Sequence, residues 1–352
     1  MTSAAVEFQS VTKRYGATTA VDDISFTVDA GTLATLLGPS GCGKTTTLRL
    51  IAGLERASAG HILIGGRDVT QLPASERDVS MVFQSYALFP HMTVLENVAY
   101  GPTVSGVGRR RARELAADKL ALVGLSGFDG RYPSELSGGQ QQRVAVARAL
   151  VLEPLVLLFD EPLSNLDAKL RRQVRDDIRA LQLDLNLTVV YVTHDQHEAM
   201  AVSDQILVMS QARIAQTGRP RELYEAPASL FVADFIGDAN IVDATLVALS
   251  GERARVVLAN LELTLPHRGA APGPVTLAIR PDALVLSRDE PVGASVAARV
   301  AKAAYLGTHM EYTVEFALGA LFVVERSTTD PLAPGTDVWL GFAETGITIV
   351  RG

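Results

Sequence analysis

The pattern of hydrophobic and polar positions divides this chain into two regions. Up to about residue 238, continuous apolar runs such as Leu155–Phe159 and Thr188–Val192 alternate with segments that carry apolar residues at helical spacing. Continuous apolar runs are typical of parallel strands whose two faces are both covered by helices. The pattern therefore predicts an α/β domain with a mainly parallel sheet over residues 1–238.

Several elements of this first domain can be placed on the chain. Val6–Phe8 and Ile24–Val28 alternate apolar and polar residues, which predicts half-buried strands. The apolar run Thr32–Leu37 leads into a glycine-rich loop, and a helix is expected to begin near Gly43. Further helices are predicted over Gly138–Leu150, Ala168–Leu185 and Gln196–Val202.

Beyond Gly237-Asp238 the residue pattern changes to short β-rich segments separated by glycine and proline. Such spacing predicts a second domain over residues 239–352, a small all-β barrel or sandwich. The predicted strands are Asp243–Leu249, Arg253–Leu265, Pro274–Ile279, Ala283–Leu286, Glu311–Phe316, Leu321–Glu325, Asp337–Phe342 and Ile347–Val350.

Composition narrows the class of protein. The chain has 352 residues, 47% of them hydrophobic, which is enough for two domains that each bury a core. A net charge of −7 counts against a nucleic-acid partner, because such proteins tend to be basic. The single cysteine, Cys42, excludes an internal disulfide, and no window approaches the roughly 18 consecutive apolar residues of a membrane helix.

The segment Gly38–Thr45 reads Gly-Pro-Ser-Gly-Cys-Gly-Lys-Thr and matches the phosphate-binding loop pattern G-x-x-x-x-G-K-[ST]. Its position between a strand and a helix directs backbone N–H groups and a helix N-terminus toward nucleotide phosphates. Lys44 is expected to reach the β- and γ-phosphates, and the Thr45 hydroxyl to ligate Mg²⁺. The candidate ATP-binding residues here are Gly38, Pro39, Ser40, Gly41, Cys42, Gly43, Lys44, Thr45 and Thr46.

A pair of carboxylates completes the predicted metal site. The strand Leu155–Phe159 ends in Asp160, which can hold Mg²⁺ through water. Glu161 follows directly and is placed to orient or deprotonate an attacking water. We therefore predict Asp160 as a metal ligand and Glu161 as a catalytic residue.

The segment Leu136–Gln140 (Leu-Ser-Gly-Gly-Gln), followed by Gln-Gln-Arg, resembles the signature of ATP-binding cassette (ABC) proteins. It is physically a second helix N-terminus preceded by serine and glycine, and hence a second anion site. The resemblance implies a head-to-tail homodimer in which each signature caps the γ-phosphate held by the partner's loop. The candidate residues are Ser137, Gly138, Gly139 and Gln140.

Other cassette motifs follow in the family's order, and the resemblance covers about residues 5–238. Tyr15 stands where the family stacks an aromatic ring on adenine, and Gln84 where it links Mg²⁺ and water to the transport partner. Asp167 lies in a segment similar to the loop that crosses the dimer interface. His194 resembles the switch histidine that contacts the γ-phosphate. The resemblance thus implies Glu161, His194 and Gln84 as catalytic residues, and Thr45, Gln84 and Asp160 as metal ligands.

Two features resemble importer subunits of this family. Ser85–Val94 follows Gln84 and resembles a docking groove for a short permease helix, although the same pattern fits the core of a buried loop. The β domain, with Ala278–Asp282, resembles the OB-like regulatory (TOBE) barrels of import ATPases. The resemblance implies permease subunits, a periplasmic solute-binding protein and a peripheral position on the cytoplasmic face of a bacterial inner membrane.

The expected group of transported solutes depends on the similarity of two short segments to particular importer ATPases. Phe231–Ile241 and Phe89–Thr93 are most similar to ATPases of ferric iron, polyamine and phosphonate importers. The alternative is a non-transport ABC ATPase of DNA repair or translation. Those proteins tend to carry two cassettes or long coiled-coil insertions, and neither is visible in this chain.

Overall fold

The computed structural model describes residues 4–291 and 293–350. The chain divides into two compact units, Met1–Pro220 and Arg221–Gly352. The division lies ahead of the boundary expected near residue 238, because the helix Leu230–Phe235 packs Ala233 into a small cluster with Ala278 and Val350 of the second unit.

The first unit contains two sheets. A six-stranded sheet has the order β10-β9-β3-β8-β7-β6 and is parallel except for the β9–β10 pair, as the continuous apolar runs predicted. A four-stranded antiparallel sheet has the order β2-β1-β4-β5. The strands are β1 (Ala4–Tyr15), β2 (Thr18–Asp29), β3 (Leu33–Leu37), β4 (Ala59–Ile64), β5 (Arg67–Asp68), β6 (Val79–Val82), β7 (Val156–Asp160), β8 (Val189–Thr193), β9 (Gln205–Ser210) and β10 (Arg213–Gly218).

Helices cover the parallel sheet and form a second layer of their own. Their bounds are α1 (Lys44–Ala52), α2 (Val94–Val104), α3 (Arg109–Leu122), α4 (Gly138–Leu150), α5 (Ala168–Asp184) and α6 (Gln196–Val202). All five residues of β3 are buried, because both faces of this central strand are covered. Helices α2, α3 and α4 share a separate core that includes Val98, Leu120 and Val144, which makes them a helical subdomain.

The topology of the parallel sheet brings three loops to one edge. Strands β3, β8 and β7 are neighbours, with Leu37 paired to Thr193 and Asp160 to Val192. Because parallel strands end at the same edge, the loops that follow them start side by side. Residues far apart in sequence therefore converge at the carboxyl ends of these strands.

The second unit is built from two five-stranded antiparallel sheets, ordered β13-β12-β11-β14-β20 and β15-β19-β16-β17-β18. Side chains of both sheets, among them Leu277 and Leu340, belong to one core, so the expected OB-like β domain is confirmed. Its elements are α7 (Pro220–Glu225), α8 (Leu230–Phe235), β11 (Asn240–Ser250), β12 (Arg253–Leu258), β13 (Leu261–Pro266), β14 (Gly273–Ile279), β15 (Leu284–Ser287), β16 (Ser295–Tyr305), β17 (Met310–Phe316), β18 (Gly319–Glu325), β19 (Asp337–Phe342) and β20 (Ile347–Val350).

Candidate nucleotide-binding site

The glycine-rich loop between β3 and α1 has a backbone that strongly favours glycine. Gly41 and Gly43 have φ angles of 79° and 105°, in the left-handed region that side chains disfavour. A Cβ on Gly43 would also collide with the carbonyl oxygen of Ala20, and one on Gly38 with that of Met209. The loop is therefore held close to neighbouring backbone, and its conformation depends on these glycines.

Lys44 is buried inside this loop. Its Nζ donates hydrogen bonds to the carbonyl oxygens of Gly38 at 2.8 Å and Pro39 at 2.9 Å, and lies 3.9 Å from Cys42 Sγ. A buried ammonium group requires such partners, because an unpaired buried charge is very unfavourable. The loop thus surrounds one positive charge at the N-terminus of α1.

Thr45 and Asp160 place two oxygen ligands together at the edge of the sheet. The Thr45 hydroxyl donates to Asp160 Oδ1 at 3.4 Å, although the two residues are 115 positions apart. Burial raises the pKa of the Asp160 carboxyl, and the Thr45 hydrogen bond and the nearby Arg49 oppose this shift. A hydroxyl and a carboxylate are hard oxygen donors, so the pair fits a Mg²⁺ ion.

Glu161 and His194 meet beside this pair. His194 Nδ1 lies 3.2 Å from Glu161 Oε2, and the His194 ring is largely exposed. Glu161 has a φ of 44°, a strained conformation for a residue with a side chain, and its backbone N–H donates to the Val192 carbonyl. Strain of this kind persists where the surrounding structure holds a functional side chain in place.

Gln84 is connected to the same site through Ser164, which lies in the same segment as Asp167, the one similar to the loop that crosses the dimer interface. Gln84 Nε2 donates to Ser164 Oγ at 3.1 Å, and Ser164 in turn donates to the Glu161 carbonyl at 3.0 Å. Asn165 Nδ2 donates to the Gln84 carbonyl at 3.1 Å. The structure therefore links Gln84 to Glu161 through Ser164, and the role of Gln84 as a metal ligand stays a prediction.

Tyr15 is 44% exposed at the end of β1. Lys13 Nζ lies 4.6 Å from the centre of its ring and forms an ion pair with Glu55 at 2.9 Å. Burial, together with the neighbouring Glu55 carboxylate, raises the pKa of the Tyr15 hydroxyl. The ring is a surface aromatic with a cation beside it, and its contact with adenine stays a prediction.

The signature segment begins α4 with a reciprocal cap. The Ser137 side chain accepts from the Gln140 N–H at 3.4 Å, and Gln140 Oε1 accepts from the Ser137 N–H at 2.9 Å. Asp167 caps α5 without such reciprocity, since its Oδ1 accepts from the N–H groups of Lys169 and Leu170. Ser137, Gln140 and Asp167 thus order the starts of two helices that belong to the first unit.

Arg148 is a residue of interest that the motifs did not indicate. Its guanidinium donates to the carbonyl oxygens of Tyr86 at 2.8 Å and Ala87 at 2.7 Å, and both of these loop residues have positive φ angles. Arg148 therefore holds the loop after Gln84 against α4. A groove of about 410 Å³ lies here, lined by Ser80, Met81, Phe83, Ala87, Phe89, Tyr100, Gly101, Arg148, Ala149 and Leu152.

The predicted residues thus fall into three groups. Lys44, Thr45, Asp160, Glu161 and His194 gather at one edge of the parallel sheet, and Gln84 joins them through Ser164. Tyr15 lies at the end of a strand of the antiparallel sheet, and the signature caps a helix of the helical subdomain. Among residues 4–291 and 293–350 there is no cluster of three or more His, Cys, Asp or Glu side chains that could hold a metal. The assignment of Mg²⁺ to Thr45 and Asp160 stays a prediction.

Comparison with known proteins identifies the family. The ABC transporter family model matches residues 21–164, and the TOBE domain model matches residues 277–349. The Fe(3+) ions import ATP-binding protein FbpC 1 of Rhizobium meliloti is 59% identical over 348 residues, which are 99% of this chain and 98% of that protein. The Fe(3+) ions import ATP-binding protein FbpC of Rhizobium etli is 58% identical over 346 residues, 98% of each chain.

A solved structure supports the same conclusion about the cassette. The dimeric post-hydrolysis state of the ATP-binding cassette MJ0796, bound to ADP and Pi, superposes with a TM-score of 0.54 at 30% identity. The match covers 61% of this chain and 99% of that one. The chain therefore belongs to the ABC transporter family. It is the ATP-hydrolysing subunit of an importer, and the expectation of an importer is confirmed over the non-transport alternative.

Proposed function

We propose that this chain powers the import of ferric iron as a homodimeric, Mg²⁺-dependent ATPase. The observation that carries the proposal is 59% identity, over nearly the whole of both chains, to a protein named for Fe(3+) import. The solute group expected from the sequence included polyamines and phosphonates. The relatives' names favour ferric iron among these three.

The residues of the glycine loop would hold the ATP phosphates and their metal. Gly41 and Gly43 give the loop its left-handed turns, and Lys44 supplies a positive charge within it. The Thr45 hydroxyl and the Asp160 carboxylate would ligate Mg²⁺. When bound, this ion neutralises charge on the phosphate oxygens.

Glu161 and His194 would act on the water and the γ-phosphate. The Glu161 carboxylate orients the attacking water and accepts its proton at Oε, which is the role of a general base. His194 Nδ1 is engaged by Glu161, so Nε2 is the nitrogen assigned to the γ-phosphate. Ser164 is hydrogen-bonded to both Gln84 and the Glu161 carbonyl, so a movement of Glu161 would be passed through Ser164 to Gln84 and to the loop after Gln84.

The homodimer would complete each site with the signature of the other copy. Ser137–Gln140 begin α4 and supply a second helix N-terminus, which is a favourable place for an anion. We infer that this segment caps the γ-phosphate held by the partner's loop, and that Asp167 lies at the interface. The dimeric state of the related MJ0796 cassette supports this arrangement.

Permease subunits would dock in the groove beside Gln84. The groove carries Phe83, Phe89 and Tyr100, which offer aromatic surface to a short amphipathic helix. Within the described residues no helix is both long and apolar enough to cross a membrane. From the import relatives we propose a peripheral position on the cytoplasmic face of a bacterial inner membrane, with a periplasmic binding protein that delivers the solute.

An uptake assay tests the solute directly. The chain is expressed with its native membrane partners, and uptake of labelled ferric iron is compared between wild type and Lys44→Ala, with a polyamine and an organophosphonate as comparison solutes. Loss of ferric iron uptake alone in Lys44→Ala supports the proposal. Loss of polyamine or phosphonate uptake instead, with ferric iron unaffected, contradicts the choice of solute.

A further inference from the structure

A buried carboxylate lies four residues after His194 in the chain. Glu198 belongs to α6 (Gln196–Val202), and only 6% of the residue is exposed. Acidic side chains are almost never buried to this extent unless they are paired, because burying a charge without partners is very unfavourable. None of the roles assigned to ATP hydrolysis falls to Glu198, so its partners indicate what it does.

The Glu198 carboxylate is paired with two hydroxyl groups of strand β8. The Tyr191 hydroxyl donates to Oε1, and the Thr193 hydroxyl donates to Oε2 at 2.7 Å. Burial raises the pKa of this carboxyl, and the two hydrogen bonds oppose that shift. Because side chains alternate between the two faces of a strand, Tyr191 and Thr193 lie on the same face of β8. The carboxylate thus connects α6 to the end of β8, directly before His194.

His194 occupies a turn that this hydrogen-bond network closes. Thr193 Oγ1, which donates to Glu198, also accepts from the Asp195 N–H at 3.0 Å. Asp195 Oδ1 accepts from the Glu198 N–H at 3.1 Å and caps α6, while its Oδ2 lies 3.8 Å from Arg171 Nη1. The residues on both sides of His194 are therefore held by hydrogen bonds that converge on Glu198.

The His194 side chain depends on this support because it packs against little else. It is 61% exposed, and its Nδ1 lies 3.2 Å from Glu161 Oε2. The direction of the ring is thus set mainly by the backbone of residues 193–195. A displacement of about 1 Å can lower the rate of a reaction by about 10²-fold, so this backbone has to be held accurately.

We propose that Glu198 is a positioning residue for ATP hydrolysis that holds His194 toward the γ-phosphate. It acts through Thr193 and Asp195, the residues on either side of His194. The inference rests on the proposed role of His194 at the γ-phosphate. Because the Glu198 carboxylate is buried, its effect on the nucleotide passes through His194, and ATP binding by the phosphate loop does not depend on it.

A double-mutant cycle with His194 tests this dependence. Steady-state ATP hydrolysis is measured for the full-length wild type, Glu198→Ala, His194→Ala and the double variant, below all four melting temperatures. Glu198→Ala should lower kcat by about 10- to 10²-fold and leave the KM for ATP close to that of wild type. In the His194→Ala background the same substitution should have almost no further effect, because residues that act together are not additive.

Three further variants show which property of Glu198 matters. Glu198→Gln keeps an acceptor oxygen for the Thr193 hydroxyl and should recover most of kcat. Thr193→Val and Tyr191→Phe each remove one donor to the carboxylate, so both should lower the melting temperature. Thr193→Val should also lower kcat, because this hydroxyl holds Asp195 as well, whereas Tyr191→Phe should retain most of it. If Glu198→Ala does not fold, Thr193→Val takes its place in the cycle.

The outcomes separate this inference from the proposed function. If His194→Ala loses hydrolysis but Glu198→Ala keeps wild-type kcat, the role of His194 stands and the inference is overturned. Equal fold-losses from Glu198→Ala in both backgrounds, or equal kcat losses in the two hydroxyl variants, would also overturn it, because they would show a general effect on the fold. Wild-type hydrolysis in His194→Ala would contradict the proposed role of His194 itself, and the inference with it.

Discussion

Serine and glycine residues stand at the N-termini of both α1 and α4, yet the two helix starts are built differently. At α1 the N-cap is Gly43, and among the described residues no side chain caps it and no acidic residue stands in the first turn. At α4 the Ser137 and Gln140 side chains and backbone N–H groups satisfy each other. The first helix start is thus open for an external anion, and the second is partly occupied by its own side chains.

The glycines at the two helices also serve different purposes. Gly41 and Gly43 have φ angles of 79° and 105°, so they are needed for the backbone turn itself. Gly139 has no such angle, and a Cβ there would come within 2.9 Å of Leu170 on α5. The phosphate loop therefore needs glycine for its conformation as well as for close packing, whereas the signature needs Gly139 for close packing alone. We therefore expect α1 to bind phosphate within one chain and α4 to need a partner's nucleotide.

Among the changes that test this comparison, Glu161→Gln should have the largest effect on ATP hydrolysis. We expect ATP hydrolysis to fall by about 10²–10⁴-fold, because the amide cannot accept a proton from water. ATP binding should persist, so the chain should accumulate as a closed dimer in which the α4 of one copy faces the α1 of the other. Steady-state turnover and light scattering with and without ATP measure the two effects. Wild-type turnover would refute the role of Glu161.

Replacing Lys44 by alanine should show that the start of α1, and not the start of α4, determines the ATP affinity of the isolated chain. Loss of the loop's buried charge should weaken ATP binding to the isolated chain by about 10²-fold, because charged contacts to phosphate are typically worth several kcal/mol. Gln140→Ala is the matched change at α4 and should leave that affinity unchanged. Fluorescent-nucleotide titrations at low protein concentration measure both. Equal losses in the two variants would mean that one chain uses both helix starts.

Ser137 allows a cap to be distinguished from an anion contact. Ser137→Ala should cost about 1 kcal/mol of stability, whereas Ser137→Gly should cost only a few tenths, because glycine is a tolerable N-cap. If Ser137 contacts the partner's phosphate, both variants lose most of their ATP hydrolysis. Urea unfolding and turnover assays give the two quantities. Recovery of hydrolysis in Ser137→Gly would show that Ser137 acts only as a cap.

Replacing Asp160 should have a smaller effect, a pH-dependent change in the stability of the metal-free fold. Burial raises the pKa of this carboxyl, so the folded chain holds the proton more tightly than the unfolded chain does. Its ionised form therefore destabilises the metal-free fold above the folded pKa, and the penalty disappears as pH falls through the unfolded pKa. Asp160→Asn should raise the melting temperature at pH 8 by about 2–4 °C for each kcal/mol relieved.

Calorimetry without Mg²⁺ between pH 3 and pH 8 checks this expectation. The difference between Asp160→Asn and wild type should shrink as the pH is lowered, while Mg²⁺-dependent hydrolysis is lost in the variant at every pH. A lower melting temperature for the variant at pH 8 would contradict it. That result would mean that the Thr45 hydrogen bond outweighs the burial of the carboxylate.

Local patterns predicted many elements of the fold. The helices Gly138–Leu150 and Gln196–Val202 and the strands Asp337–Phe342 and Ile347–Val350 have the bounds expected from their apolar spacing. Strand β16 was missed, because alanine fills much of its sequence and is a poor strand former that gives little apolar alternation. The expected strand Arg253–Leu265 is instead the hairpin of β12 and β13.

The sequence by itself determined the family of this protein, because the phosphate loop and the signature are each written in a short run of residues. It also predicted Asp160 as a metal ligand and Glu161 as a general base, and it indicated the second, β-rich domain. Only the tertiary structure decided which of them meet. Parallel pairing of β3, β8 and β7 brings Thr45 to Asp160 and His194 to Glu161. Local spacing does not encode such long-range contacts, and for the same reason it gave no signal for the hydrogen bonds from Arg148 to the carbonyl oxygens of Tyr86 and Ala87.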